Sequence, residues 1–455
     1  MTSAVATGYP NASKAANFMA GVGASTGRLL ADCQNRLRRY EQFERVANEH
    51  GCNGEARRGA EQRFHERERK AVLAACKRWS TGDFEAVKVL GAGSFGVVHL
   101  VKRVGSEEFY ALKQVKKEAC RRKNHREGAF AERKLLAEAR SRWFVELYAT
   151  FQDKENVYMV MEFLPGGDLI AHLIAKKRFT VVETQFYMAE LLEALDVLHL
   201  RGFVHRDVKP DNMVLDSVGH LKLLDFGLCR NDSTAAEDAG THQANAAKRL
   251  APPQLTRRMQ LKSVVGTPQY MAPEVYRGES GSEADIWSLG VIVFECLVGR
   301  VPFDARDGDP EPVKSIREQV SRSGKILGDL TAKYAARGYL TQPCVQLLTG
   351  VLKEDRSRRL TAKQLRRAPF FFGIDFPRLH TLTPPICPEL HSASDTRYFD
   401  DFEPRPLPSA SATAIKDADI EWPHYEFDRD AYELQKPVLE EARGLFAAPS
   451  SDAVQ

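Results

Sequence analysis

The chain of 455 residues is long enough for one large domain with extensions or for two to three domains. Its 65 Lys and Arg residues nearly balance its 61 Asp and Glu residues, and a net charge of +4 gives no reason to expect a nucleic-acid-binding protein. Eight cysteines without a Cys-x-x-Cys pair exclude a disulfide scaffold and a ribbon-type zinc site, and they fit a reducing compartment. We find no apolar run of membrane-spanning length, no signal-peptide pattern and no N-myristoylation pattern, so we expect a cytoplasmic or nuclear protein.

A basic helical segment is predicted ahead of the first strand. Residues 1 to about 26 are rich in Ala, Gly, Ser and Thr, which is typical of a flexible lead-in. Between Arg28 and Arg78, 13 basic residues against 8 acidic ones give a local net charge of +5. A break at 51–54 predicts a second helix from about Glu55, and apolar residues at helical spacing predict a first helix on Leu30, Cys33, Leu37 and Tyr40. Such a pair is either a solvated appendage or a packed element with a polar face for a partner.

The remaining pattern predicts a small β-rich lobe followed by a larger helical lobe. Five strand-like runs precede Gly167, at Phe84–Leu90, Val97–Val101, Phe109–Val115, Val145–Phe151 and Val157–Phe163. Helical spacing follows, with buried helices predicted around Leu191–Leu198 and Leu289–Leu297. The stretch Asn231–Thr256 is predicted to be mobile, and the Pro-rich chain after Gly373 is predicted to be irregular to the end.

A glycine-rich loop of pattern G-x-G-x-x-G-x-V joins the first two predicted strands and comprises Gly91, Ala92, Gly93, Ser94, Phe95, Gly96, Val97 and Val98. Glycines allow backbone amides to approach phosphate oxygens without a side-chain clash. The pattern alone is weak, and a glycine hairpin without a ligand is the alternative. A dinucleotide-binding fold is disfavoured, because a strand rather than a helix follows the loop.

Lys113 lies in the third predicted strand, within the run Ala111-Leu112-Lys113. A lysine in an apolar strand is costly unless it is paired, and Glu132 in the helical run Gly128–Ala139 is the candidate partner. Such a lysine is suited to hold nucleotide phosphates while the glutamate holds the lysine. The alternative is a surface lysine on an edge strand.

The most specific pattern is His205-Arg206-Asp207-Val208-Lys209-Pro210-Asp211-Asn212, which is followed by Asp225-Phe226-Gly227. Phosphoryl transfer requires a positioned hydroxyl and neutralisation of developing charge by metal ions. Asp207 is suited to orient the hydroxyl, whereas Asn212 and Asp225 supply the hard oxygen ligands that magnesium prefers. These residues therefore indicate ATP- and Mg²⁺-dependent phosphoryl transfer.

The complete order of glycine loop, strand Lys, helix Glu, H-R-D, D-F-G and Ala272-Pro273-Glu274 resembles the signature of eukaryotic protein kinases. The resemblance implies an α+β bilobal kinase fold with a small β-rich lobe and a large helical lobe. Lys209, two residues after Asp207, and Gly266-Thr267-Pro268 look like the serine/threonine branch. Arg359 is expected to pair with Glu274 as part of the architecture.

The resemblance narrows to the NDR/LATS family of AGC-group kinases. Phe399–Phe402 and Trp422–Phe427 look like the AGC tail, which crosses the nucleotide cleft and docks on the small lobe. The basic N-terminal extension is similar to the NDR/LATS segment that binds a Mob-type coactivator, with Arg36, Arg38 and Arg39 as its candidate contact residues. The interval of 49 residues from Asp225 to Glu274 is also similar. So is its basic insert, because the stretch between Gly240 and Lys262 has no acid and five basic residues, Lys248, Arg249, Arg257, Arg258 and Lys262.

The resemblance also implies regions and site residues. The regions are 1–83 as a regulatory segment, 84–372 as the kinase domain with an activation-segment insert at about 231–262, and 373–455 as the tail with a hydrophobic motif at 422–427. The implied catalytic residues are Lys113, Glu132, Asp207, Lys209, Asn212 and Asp225, with Asn212 and Asp225 on magnesium. The implied ATP site adds to the glycine loop and Lys113 the adenine contacts Leu90, Val98, Ala111 and Val214, the hinge residues Glu162 and Leu164, and the gatekeeper Met161.

Regulation is implied by the same resemblance. Ser263 matches the activation-loop serine that an upstream kinase phosphorylates in the family, and a phosphate there would pair with Arg206. The alternative is that Ser263 is an unmodified loop serine. The tail motif departs from the family by having Trp422 in place of Phe and Glu426 in place of a phosphorylatable residue, next to Tyr425 and Phe427. A carboxylate carries less charge than a phosphate, so it would imitate the modified state constitutively but weakly.

Three further hypotheses concern substrates and output. Asp168 and Asp211 imply protein substrates with basic residues near the target Ser or Thr. The basic insert is either autoinhibitory or a solvated localisation patch. A catalytically dead scaffold is the rival to an active enzyme, although no catalytic position is substituted, and a Mob-binding module that gates the kinase is compatible with activity.

Overall fold

The computed structural model describes residues 38–41, 43–49, 54–76, 79–93, 96–120, 123–231, 268–279, 281–408, 422 and 425–435. The predictions for Ser94, Phe95, Ser263 and the insert beyond Asn231 therefore lie outside the described residues. The described chain forms a sheet-containing small lobe and a helical large lobe, which confirms the predicted α+β bilobal architecture.

The small lobe is built on an antiparallel sheet. Its strands are β1 (Phe84–Ala92), β2 (Gly96–Arg103), β3 (Phe109–Lys116), β4 (Leu147–Gln152), β5 (Asn156–Glu162) and β10 (Phe427–Asp428). Their order across the sheet is β1-β2-β3-β5-β4-β10, and helix α3 (Lys123–Glu138) packs beside β4. The five predicted strands are confirmed, but β4 begins later than predicted because the Val145 amide donates to the Leu223 carbonyl of the large lobe at 3.2 Å.

The large lobe is mainly helical around one continuous apolar core. Its helices are α4 (Leu169–Lys176), α5 (Val181–His199), α6 (Ser282–Val298), α7 (Pro312–Val320), α8 (Ser323–Ala336), α9 (Gln342–Val351) and α10 (Ala362–Leu365). Two short antiparallel strand pairs lie in this lobe: β6 (Phe203–Val204) with β9 (Arg230–Asn231), and the hairpin of β7 (Met213–Leu215) and β8 (Leu221–Leu223).

The two buried helices predicted for this lobe are confirmed as α5 and α6. Helix α5 begins at a reciprocal cap in which Thr180 and Glu183 satisfy each other's backbone amides. Helix α6 ends at Gly299, whose φ of 83° is a left-handed conformation that glycine adopts without strain. None of the helices in the described ranges is long and apolar enough to cross a bilayer.

The N-terminal segment forms two packed helices. Residues 38–41 and 43–49 (α1) and α2 (Gly54–Cys76) share a small core of Phe43, Ala60 and Phe64 with Tyr40 against it. Helix α2 begins next to the predicted Glu55, whereas Leu30, Cys33 and Leu37 lie outside the described residues. Arg39 donates to both carboxylate oxygens of the buried Glu68 at 2.7 and 2.8 Å. The Arg39 charge is therefore paired with an acid of the neighbouring helix α2.

The prediction of an irregular chain after Gly373 is confirmed for residues 382–408, which hold no helix or strand, and is wrong at the two ends of the described tail. A 3-10 helix spans Phe376–Thr381, β10 pairs with the edge of β4, and helix α11 (Arg429–Gln435) packs against α2. The register places Phe427 opposite Thr150. A two-residue strand carries no periodicity, and only its partner strand specifies it.

Candidate active site

The glycine loop is closed by a hydrogen bond from the Gly93 amide to the Gly96 carbonyl at 2.9 Å. The structure distinguishes the three glycines. A Cβ added at Gly96 would lie 1.9 Å from the backbone oxygen of Gln114, so close strand packing requires glycine there. A Cβ at Gly91 or Gly93 would meet nothing within 4 Å, so these two keep open the space that phosphate oxygens would need.

Lys113 confirms its predicted pairing with Glu132. The lysine nitrogen lies 2.9 Å from both Glu132 carboxylate oxygens and 3.1 Å from Asp225 Oδ1. Burial lowers the pKa of Lys113, but the charges of Asp225 and Glu132 outweigh it and hold the pKa above its ordinary value. The same Lys113 charge lowers the pKa of Asp225 to about 2. Lys113 and Asp225 are therefore ionised at neutral pH, whereas burial raises the pKa of Glu132 against the pull of the Lys113 charge.

Helix α3, which carries Glu132, touches the D-F-G segment closely. A Cβ at Gly128 would lie 2.1 Å from the Gly227 carbonyl oxygen. This approach brings Glu132 and Asp225 to the same lysine. Gly128 was not singled out from the sequence as a contact residue, because only the folded geometry shows which glycine faces a backbone.

The catalytic loop places Lys209 against Asp207, with the Lys209 nitrogen bonded to Asp207 Oδ2. The Asn212 amide nitrogen donates to the Asp207 carbonyl at 2.9 Å, which turns the amide oxygen of Asn212 away from that loop. Burial raises the pKa of Asp207 above its ordinary value, against the pull of Lys209, and the Asp225 charge adds to the rise. A raised pKa suits a group that must accept a proton.

Asp285 of α6 is a functional residue that sequence reasoning missed. Its carboxylate accepts from the backbone amides of His205 and Arg206, both at 2.9 Å, and from His199 Nε2 at 2.8 Å. Arg206 has a φ of 69°, a left-handed conformation unusual for a residue with a side chain. Asp285 therefore holds the strained backbone that presents Asp207. Two of its three partners are backbone amides, which carry no residue-specific signal in the sequence.

The residues proposed for magnesium fit a hard cation. The Asp225 side chain is half-exposed in the cleft. Its backbone has a φ of 59°, a left-handed conformation that differs from that of a strand. The Asn212 amide is fixed by its nitrogen, so its oxygen is the atom available as a ligand. One carboxylate and one amide oxygen are ligands that magnesium accepts together with waters and phosphates.

The residues that the resemblance implies for adenine come from both lobes, with Ala111 on β3 and Met161 on β5 of the small lobe and Val214 on β7 of the large lobe. Register aligns Ala111 with Met161 and Lys113 with Val98, and Ala111, Met161, Leu164 and Val214 are buried. The Glu162 amide donates to the Glu146 carbonyl at 2.9 Å, which leaves only the Glu162 carbonyl for an adenine amine. Lys222 clasps the Glu162 carboxylate at 2.6 and 2.8 Å and ties the hinge to the large lobe.

Comparisons with known proteins agree with this geometry. Residues 84–371 match the protein kinase domain family. The chain is 33% identical over 409 residues to serine/threonine-protein kinase sax-1 of Caenorhabditis elegans, which covers 86% of this chain and 83% of that protein. It is 35% identical over 355 residues to serine/threonine-protein kinase CBK1 of Pneumocystis carinii, which covers 72% of this chain and 68% of that protein. The chain belongs to the NDR/LATS family of protein serine/threonine kinases.

In this NDR/LATS kinase the tail contacts both lobes. Phe399 packs on Phe163 of the hinge at 5.9 Å between ring centroids, and Tyr398 packs on His172 of α4 at 5.0 Å. Lys88 of β1 pairs with Asp401 at 2.8 Å on the exposed side. The tail therefore runs along the cleft before it reaches the small lobe.

The tail motif of the kinase docks against α3 and β4. Trp422 stacks on Phe130 at 5.3 Å, and Tyr425 meets the same ring edge-on at 5.5 Å. Gln152 Nε2 donates to the Trp422 carbonyl at 3.0 Å and to Glu426 Oε1 at 2.7 Å. The larger ring of Trp422 is accommodated because it lies flat on a phenyl face.

The structure also places the predicted Arg359–Glu274 pair and Asp168, one of the acids expected to bind basic residues of the substrate. Arg359 pairs with both oxygens of Glu274 in a buried site, as predicted. Asp168 caps the N-terminus of α4 by accepting from the Ala171 amide at 3.0 Å, so part of its role is structural.

Proposed function

We propose that the chain transfers the γ-phosphate of ATP to serine or threonine hydroxyls of protein substrates in the cleft between its lobes. The observation that carries this proposal is the convergence of Glu132 and Asp225 on the Lys113 nitrogen, within 3.1 Å, next to the Asp207–Lys209 pair. Such a fixed array of charges is what phosphoryl transfer requires, because catalysis depends mainly on positioning and electrostatics.

Each residue then has a defined task. Lys113 and the amides of the glycine loop hold the α- and β-phosphates, and Glu132 keeps Lys113 in place. Asp207 orients the substrate hydroxyl and accepts its proton as the new oxygen–phosphorus bond forms, while the bond to the bridging oxygen of ADP breaks. Lys209 steadies the γ-phosphate. Magnesium, when held by the Asn212 amide oxygen and the Asp225 carboxylate, neutralises charge on the phosphates.

Replacing Asp207 by Asn tests this assignment against the rival scaffold function. The variant keeps the shape of the loop but removes the proton acceptor, so transfer to a serine peptide should be abolished while ATP binding and thermal stability stay near wild type. Transfer at the wild-type rate by the variant would refute the assignment. A wild type that binds ATP without transferring phosphate would favour the scaffold.

We infer that the substrates carry basic residues near the target hydroxyl. Asp211 lies in the catalytic loop, and its charge together with that of Asp304 acts on the buried Glu295, so acidic groups gather beside the catalytic loop. Glu295 accepts from the Tyr270 hydroxyl at 2.5 Å, which fixes its position. Peptides with Arg upstream of Ser should have a higher kcat/KM than matched Ala peptides, and Asp211→Asn should reduce the difference. Equal use of both peptides by the wild type would contradict this.

We propose that a Mob-type coactivator binds the N-terminal helices. The support is the local charge of +5 and a helix pair whose outer face is polar. Because Arg39 is bound to Glu68, the exposed Arg38, Arg58 and Arg69 are the better positions for a test. Reversing their charge should weaken coactivator binding without unfolding the helix pair. Unchanged affinity would count against this surface.

The activation segment is proposed to add a second level of control, with an upstream kinase acting on Ser263 and the basic insert holding the unmodified state inactive. Ser263→Ala should keep activity low after treatment with an upstream kinase. Neutralising the five basic insert residues should raise basal activity, and either no rise or a fall would reject autoinhibition.

The regional division is proposed to follow these tasks, with regulation in 1–83, catalysis in 84–372 and the docking tail in 373–455. The tail motif, through Trp422, Tyr425, Glu426 and Phe427, is proposed to steady α3 without modification. A cytoplasmic or nuclear location is also proposed, because eight cysteines without a Cys-x-x-Cys pair fit a reducing compartment; imaging of the tagged full chain would test it.

A further inference from the structure

The C-terminal end of helix α3 requires partners from outside the helix. The last four carbonyls of an α-helix have no intrahelical donor. In α3 the Leu135 carbonyl accepts from the Ala139 amide at 2.7 Å, where the chain turns away. The last turn contains no basic residue that could complement the partial negative charge at this end of the helix.

Arg429 of the tail supplies both the donors and the charge. Its Nη2 donates to the Leu136 carbonyl at 2.7 Å, and its Nη1 donates to the Ala137 carbonyl at 2.9 Å. Its Nε donates to the carbonyl of Leu147, the first residue of β4, at 2.9 Å. One guanidinium therefore connects the end of α3, the start of β4 and the tail.

The position of Arg429 is fixed by the docked tail. It follows directly after β10, which pairs with β4, and its side chain is buried at 6% exposure. The guanidinium lies over the Phe427 ring at 4.9 Å from the centroid and faces the Glu433 carboxylate at 3.6 Å. The contacts to α3 can therefore form only while the tail motif is seated.

We propose that Arg429 is a positioning residue for catalysis, because its hydrogen bonds to the end of α3 and the start of β4 hold the helix that carries Glu132. The proposal rests on the role of the Lys113–Glu132 pair in the proposed function. Removing the guanidinium leaves the two buried carbonyls at the end of α3 without their donors and removes the favourable charge at the helix terminus. The helix then moves more freely, and the Lys113–Glu132 pair is formed for less of the time.

Lysine cannot replace this arginine. A guanidinium offers donors in a fixed planar fork that reaches three carbonyls at once, whereas an ammonium is a single point of charge on a flexible stem. Arg429→Lys therefore keeps the charge and most of the apolar stem but loses the simultaneous contacts.

The experiment compares full-length wild type, Arg429→Ala and Arg429→Lys, with Arg405→Ala as a control for an exposed arginine of the same tail. Peptide phosphorylation gives kcat and the KM for ATP. Amide hydrogen exchange reports the opening of α3 independently of activity. Millimolar guanidinium ions are added to test whether the missing group can be supplied from solution.

We expect Arg429→Ala to lower kcat/KM by about two- to thirtyfold. This fold-change corresponds to the coupling energies that are usual between linked elements of a protein. Exchange should rise at the end of α3, guanidinium should recover part of the activity, and Arg405→Ala should match wild type. If Arg429→Ala does not fold, Arg429→Lys decides: it should show the same loss with a smaller change in stability.

Unchanged kcat/KM and unchanged exchange in the folded variants would overturn the proposal, and so would lost activity with α3 exchange equal to wild type. An inactive wild type would contradict the proposed function instead, and the exchange comparison would still decide whether Arg429 holds α3.

Discussion

Glu426 is predicted to keep the tail docked without phosphorylation. Its Oε1 accepts from Gln152 Nε2 at 2.7 Å. The orientation of Gln152 is fixed, because the buried Lys117 is a donor only and its nitrogen lies 2.7 Å from Gln152 Oε1. The amide nitrogen must therefore face the tail, where its two hydrogens reach Glu426 and the Trp422 carbonyl.

The magnitude follows from the kind of bond that is lost. A hydrogen bond to a charged group contributes about 1.5–3 kcal/mol, and partial exposure of Glu426 favours the lower end. About 1.4 kcal/mol is a factor of ten in the docking equilibrium. Glu426→Ala should therefore lower kcat/KM for ATP by up to about tenfold. Glu426→Gln should be intermediate, because its amide oxygen still accepts, with a neutral bond of about 0.5–1.5 kcal/mol.

The assay is peptide phosphorylation by full-length protein without coactivator and without an upstream kinase. Asp430→Ala is the matched control, since it removes one exposed acid of the same tail. Glu426→Thr should behave like the Ala variant until the threonine is phosphorylated. Equal activity of wild type and Glu426→Ala, at equal stability, would refute the role of this carboxylate in docking.

Three further predictions concern the framework of the site. Gly96→Ala should lower the Tm, because the new Cβ would meet a backbone oxygen at 1.9 Å, whereas Gly91→Ala should leave the Tm unchanged and raise the KM for ATP. Arg359→Met should destabilise by roughly 3–5 kcal/mol in urea unfolding by leaving the Glu274 carboxylate buried and unpaired, and adding Glu274→Leu should recover much of this. Burial raises the pKa of Glu295 to about 7 from 4.5, so the stability it contributes is complete below pH 4.5 and is lost as the pH rises through 7. The free energy of unfolding of the wild type should fall between pH 4.5 and 8 by roughly 3 kcal/mol more than that of Glu295→Gln.

Contacts between charged side chains could be predicted from the sequence where both residues belong to a known motif. The contact between Lys113 and Glu132 was predictable because a buried lysine needs an acid, and the order of motifs indicated which acid. Asp285 and Arg429 were not predictable, because most of their hydrogen bonds go to backbone groups, which every residue carries. The strand at Phe427 was missed for a related reason: two residues carry no period, and their conformation is set by the edge of β4.

The most direct test of phosphoryl transfer centred on Asp207 uses purified full-length protein, ATP, Mg²⁺ and a basic serine peptide. Wild type and Asp207→Asn are compared at equal nucleotide occupancy, with a Mob-type coactivator and an upstream kinase supplied to both. We predict phosphopeptide from the wild type and none above background from the variant. Phosphopeptide at the same rate from both proteins would contradict the assignment of Asp207.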